Sequence, residues 1–112
     1  KFAIKVCDFD LAHQKNDPVI NVAGTKNFRA PELASHTCKN APSADVYSAA
    51  IVLFLLKSCG ILPSDEDVFG DRLMEMLEKE PKQFWLKHCK IQGRTLNYWS
   101  QPFMELFRGM TH

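Results

Sequence analysis

The stretch that most restricts the fold is SADVYSAAIVLFLLKSCGILP, residues 43–63. Within it Val46, Tyr47, Ala49, Ala50, Ile51, Val52, Leu53, Phe54, Leu55 and Leu56 would place apolar side chains on every side of a helix. Ser43 is a good N-cap, because its hydroxyl can accept from an open amide of the first turn. Gly60, with Pro63 beyond it, is a stop signal. The pattern predicts a helix from about Ala44 to Ser58. A helix that is hydrophobic all round belongs at the centre of a protein or inside a membrane. Spanning a bilayer takes about 20 apolar residues, and this run is shorter. The expectation is a buried central helix with the rest of the chain arranged around it.

The remaining segments read as lesser elements. Phe2-Ala3-Ile4-Lys5-Val6 alternates and predicts a short strand. From Asp8 to Asn27 the chain is polar and irregular, a long loop of the kind that is usually functional or disordered. Pro31-Glu32-Leu33 looks like the first turn of a short helix, with Glu32 towards the positive end of its dipole. Asp71 to Lys79 is amphipathic, with Leu73, Met74, Met76 and Leu77 inward. Pro81 opens another short helix carrying Phe84 and Trp85. A last helix starts near Pro102, with Phe103, Leu106 and Phe107 on one face. It is expected to run to, or almost to, Met110-Thr111-His112. No repeat, low-complexity segment or linker interrupts the 112 residues, which fit one small domain or part of a larger one.

The net charge of +1 gives no electrostatic case for a nucleic-acid or membrane partner. The chain begins at Lys1, so a targeting signal can lie outside it. Cys7, Cys38, Cys59 and Cys89 form no C-x-x-C pair. They read as free thiols in a reducing compartment, and so as a cytoplasmic protein. His36 with Cys38, and His88 with Cys89, match no zinc spacing and read as scattered core and surface residues.

KVCDFDLA (5–12), AGTKNFRAPEL (23–33) and the apolar helix opened by Asp-Val-Tyr-Ser follow one another in that order. The chain resembles the eukaryotic-type protein kinase family, from the strand before D-F-G, through the activation segment and A-P-E, into the large central helix. KQFWLKHCK and FMELFRGMT resemble the next helices of the same lobe, so the resemblance covers essentially residues 1–112. It implies a mainly α fold, a fragment of the kinase C-lobe with a short N-terminal strand, an activation segment and a buried central helix. It implies a serine/threonine kinase that moves the γ-phosphoryl of ATP to a protein hydroxyl, with ATP, Mg²⁺ and a protein substrate as partners of the complete domain.

The resemblance also assigns roles. Asp8 would hold Mg²⁺ against the ATP phosphates, although outside this context a turn-starting aspartate is the plainer reading. Phe9 would pack towards the other lobe, which is nearly the same physical claim as filling a core. Thr25 would lie against the catalytic loop, and the stretch GTKNFRAPE looks like serine/threonine rather than tyrosine kinases. Phe28, where the family often has tyrosine, would wall a substrate pocket, with simple core packing as its rival. Glu32 and Asp45 would be scaffold carboxylates, one pairing with an arginine and one accepting from the catalytic-loop backbone. Favourable placement near a helix N-terminus is the duller account of both. Ala50 stands where the family often has glycine.

Several features depart from the family. Asp10 replaces the glycine of D-F-G, adds a second charge beside Asp8 and predicts altered metal handling. Phe9 to Ala23 contains no Ser, Thr or Tyr, so a phosphate switch is missing there. Asp17 could stand in for it, though a solvated turn is the simpler reading. Only seven residues precede Asp8. The chain therefore carries no glycine-rich loop, ATP-pairing lysine, partner glutamate or H-R-D loop, and no catalytic base. The arginine expected to pair with Glu32 would lie past the end, with Arg72 or Arg94 as substitutes. The chain alone is not expected to catalyse. A catalytically inactive kinase-like binding module, and an unrelated small helical interaction domain, are the rival readings.

Overall fold

The computed structural model describes residues 2–9, 12, 27–31, 41–64 and 72–111. Helix α1 spans Ala41–Lys57, α2 Arg72–Lys79, α3 Pro81–Gln92 and α4 Gln101–Thr111, with a 3-10 turn at Leu96–Tyr98. The fold is mainly helical, and no strand occurs among the described residues. The alternating segment 2–6 belongs to no regular element and is exposed instead. A strand holds its shape through a pairing partner, and none of the described residues provides one.

Helix α1 begins at Ala41, so Ser43 sits inside the first turn and is not the N-cap. Its far end carries two overlapping bonds, Gly60 N–H to Leu55 O at 2.9 Å and Cys59 N–H to Leu56 O at 3.3 Å. This is a Schellman ending, and its left-handed position is Cys59 (φ 61°), one residue before the expected Gly60. Helix α3 closes in the same way with glycine in that position: Gly93 (φ 64°) donates to Lys90 O, and Arg94 to Cys89 O.

The core is centred on Phe54, in the last turn of α1. Its ring lies 4.7 Å from Trp99, 4.8 Å from His88 and 5.1 Å from Phe107, centroid to centroid. Phe84 and Trp85 of α3 complete the cluster. Helix α2 contributes Leu73 and Leu77, both buried, with Met74 and Met76 packed partly against them. Pro81 breaks the chain between α2 and α3 because it lacks an amide hydrogen and suits a first helical turn. On α4, Phe107 is buried and Phe103 half-buried, but Leu106 faces solvent.

The central helix is buried on one side only. Ala44, Tyr47, Ala50, Ile51 and Phe54 point into the core, while Val46, Val52, Leu53 and Leu56 are exposed, Leu56 by 70%. The expectation of all-round burial is corrected accordingly. The described elements cover one face of α1 and leave an equally apolar face open. No described helix is long and apolar enough to cross a membrane.

Candidate functional site

The segment Asn27–Pro31 is fastened to α1. Ser48 Oγ lies 2.6 Å from the carbonyl oxygen of Phe28 and 3.2 Å from that of Ala44, one turn earlier on its own helix. A serine hydroxyl inside a helix commonly binds the carbonyl four residues back. Here the closer contact is to Phe28, so the hydroxyl serves the neighbouring segment. Asn27 adopts a left-handed backbone (φ 74°), which asparagine tolerates better than most residues. That turn lets Phe28 pack partly against the core and buries Ala30. Pro31 emerges at the rim of a hollow of about 300 Å³ shared with Tyr47 of α1, Glu75 and Glu78 of α2 and Arg108 of α4. Its wall thus carries two carboxylates and one guanidinium.

Asp8 and Phe9 stand apart from this platform. Asp8 is exposed in a left-handed conformation (φ 65°), and Phe9 is 65% exposed. The chain turns there, with Ala12 N–H donating to Phe9 O at 3.0 Å. Among the described residues no group of three or more His, Cys, Asp or Glu side chains converges as a metal site would. Asp8 on its own offers an oxygen donor of the kind a hard cation takes. Asp45 is exposed on α1, in its second turn rather than at its start, and lies one turn before Ser48.

Thr25, Glu32, Asp10 and Asp17 lie outside the described residues, as does most of the 8–27 loop. Arg94, suggested as a partner for Glu32, is placed over the ring of Tyr98, 4.4 Å from its centroid. Lys57 approaches the same ring at 4.9 Å, and Tyr98 Oη donates to the Lys57 carbonyl. Of the cysteines, Cys7 and Cys59 are exposed free thiols and Cys89 is a buried one. Burial raises the Cys89 thiol above its usual pKa, which keeps it protonated.

Ser48 is the contact that sequence reasoning missed. Its signal was the one small polar side chain between Val46 and Leu56 of an otherwise apolar helical run, where a polar atom needs a partner.

A family model described as "Protein kinase domain" matches residues 1–112. Rice (Oryza sativa subsp. indica) serine/threonine protein kinase OSK3 is 33% identical over 69 residues, 60% of this chain and 13% of that protein. The carbon catabolite-derepressing protein kinase of rye (Secale cereale) is 33% identical over 60% of this chain and 14% of its own length. The CBL-interacting serine/threonine-protein kinase 8 of Arabidopsis thaliana is 36% identical over 66 residues, 56% of this chain and 15% of that protein. The matched region therefore spans about a seventh of these relatives' own length. No solved structure matches the chain.

Proposed function

The chain belongs to the protein kinase family, and from that membership we propose that it forms the later, substrate-facing part of a serine/threonine kinase catalytic domain. The complete domain would move the γ-phosphoryl group of ATP to a serine or threonine hydroxyl of a protein. The observation that carries this reading is the fastening of Asn27–Pro31, which leads into A-P-E, to α1 through Ser48. A substrate hydroxyl must be held in line with the phosphoryl group, so the platform beside it has to be rigid.

In this reading Asp8 would hold Mg²⁺, which would supply positive charge to the phosphoryl transfer. The exposed Asp8 carboxylate offers oxygen donors of the kind such a hard cation would take. Phe9 packs towards the nucleotide-binding lobe. Thr25 and Phe28 shape the receiving surface, and Glu32 and Asp45 brace it. The base and the ATP-pairing lysine belong to parts of the domain outside these 112 residues, so this chain does not catalyse alone. The working compartment is the cytoplasm.

The test is a phosphate-transfer assay on the full-length protein with Mg-ATP and a mixed serine/threonine peptide library. We expect incorporation into serine or threonine, and a loss of at least about 100-fold in Asp8→Ala. Undiminished transfer by Asp8→Ala would overturn the role given to that carboxylate.

Asp10 favours a second reading, a catalytically inactive kinase-like module that binds proteins. A residue other than glycine two positions after Asp8 restricts the backbone and adds charge. An unaltered full-length protein that transfers no phosphate, together with an Asp10→Gly variant that also transfers none, would select this second reading.

A further inference from the structure

Helices α3 and α4 enclose an open groove of about 450 Å³, which shares Arg108 with the hollow beside Pro31. Pro81, Trp85 and Leu86 of α3 and Met104 of α4 make its wall largely apolar. Leu86 is 42% exposed there, so a large apolar side chain already stands at the mouth of the groove. Lys82 and Arg108 line the edges. Lys82, Leu86 and Lys90 follow each other at four-residue intervals and share one helix face. Helix α3 itself carries three lysines and no acidic residue over its 12 residues. The opposing charge on the groove is Glu105, whose Oε1 accepts from Gln101 Nε2 at 3.2 Å. Glu80, just before Pro81, is the next carboxylate along the chain.

We propose that this groove docks an acidic amphipathic peptide segment of a partner protein, with its apolar side chains against Trp85, Leu86 and Met104, its carboxylates against Lys82 and Arg108 in the groove, and one more against Lys90, beyond the groove on the same face of α3. Two features select a peptide over a small ligand. The groove is open to solvent, and Lys82 and Lys90 stand two turns apart on one face of α3, about 12 Å at the usual helical rise. That is the reach of a helix lying in a groove with anchors every three or four residues. The charge complementarity selects an acidic partner over a basic one. Docking here needs neither ATP nor the phosphoryl-transfer machinery, so it stands whichever reading of catalysis holds.

The test is fluorescence anisotropy on the full-length protein. The probe is a fluorescein-labelled helical peptide of about fourteen residues, with leucines on one face and glutamates on the other. Its control carries lysine in place of every glutamate. The expected dissociation constant is on the order of 10–100 μM at low salt, rising several-fold as salt screens the charges. Leu86→Asp and the pair Lys82→Glu with Lys90→Glu should each weaken binding by about tenfold or more. These side chains are exposed, so folding is unaffected, and the circular dichroism spectrum should match the parent's. Leu56→Ser, on the open face of α1, should leave the affinity unchanged. Equal binding of the lysine control, loss of binding in Leu56→Ser, or full binding by Leu86→Asp would overturn the proposal. So would a groove that proves to be filled by a second copy, seen as a dimer that Leu86→Asp dissociates.

Discussion

Cys59 and Gly93 occupy the same place in two copies of one helix ending, and only one of them is suited to it. Both have a left-handed backbone, which crowds any side chain with a Cβ. Cys59→Gly should therefore stabilise the chain by about 1 kcal/mol, and Gly93→Ala should destabilise it by about as much. Urea melts of the two variants beside the parent would show opposite shifts of the midpoint. The sequence made the α3 ending legible, since Gly93 falls where the helix needs it. It misplaced the α1 ending by one position, because the glycine there follows the left-handed residue instead of being it. His88 carries the second prediction at this scale. Its Nε2–H donates to the Pro63 carbonyl at 2.8 Å, and Nδ1 is buried with no partner among the described residues. Burial lowers its pKa below the usual 6.5, the Pro63 bond opposes that, and the charge of Lys87 adds to it. The unfolded chain takes up a proton near the ordinary value, and the folded chain only at lower pH. Stability is thus fully present above the ordinary value and falls as pH drops through it. Urea midpoints should fall between about pH 7.5 and about pH 5.5, and His88→Gln should flatten that dependence.

Among the elements, α1 shows best what a pattern does and does not determine. Its apolar residues on every side fixed that it would be a helix and that it would sit at the core. They could not say which face the rest of this chain would cover, because periodicity is lost when every position is apolar. The structure supplies the missing asymmetry: Ile51 and Phe54 inward, Val52, Leu53 and Leu56 outward. Helices α2, α3 and α4 were easier to read, since each has a polar side or a proline at its start. The strand expected at 2–6 failed for another reason, as alternation marks a residue pattern but does not supply a second strand. The open face of α1 leads to a direct test. Val52→Lys together with Leu56→Lys should reduce binding of an apolar dye to the isolated chain and slow its aggregation, with helix content unchanged. Equal dye binding by parent and variant would mean that other surface is responsible.

For the molecule as a whole, Phe54 is the point through which α1, α3, α4 and Trp99, between the 3-10 turn and α4, are joined, by contacts to Phe84, His88, Trp99 and Phe107. Removing the ring leaves a cavity that several elements would have to close at once. Phe54→Ala should cost about 3–5 kcal/mol. A small domain has only about 5–15 kcal/mol in total, so the variant should lose its cooperative thermal melt, read by near-ultraviolet circular dichroism. A melt that remained sharp would place the weight of the core elsewhere. The fold class and family were legible because D-F-D, A-P-E and the apolar helix occur in order. The platform at Asn27–Pro31 was legible as a motif, whereas its attachment was not. That attachment is a hydroxyl reaching a backbone oxygen 20 residues away in the chain, and no spacing rule marks such a pair.

A tether made to a main-chain oxygen has an unequal consequence for its two ends. Every amino acid at position 28 still offers that oxygen, so Phe28 is free to vary without releasing the segment. At position 48 only a small hydroxyl fits the role, and Ser48→Ala would set the whole stretch loose while changing a single atom.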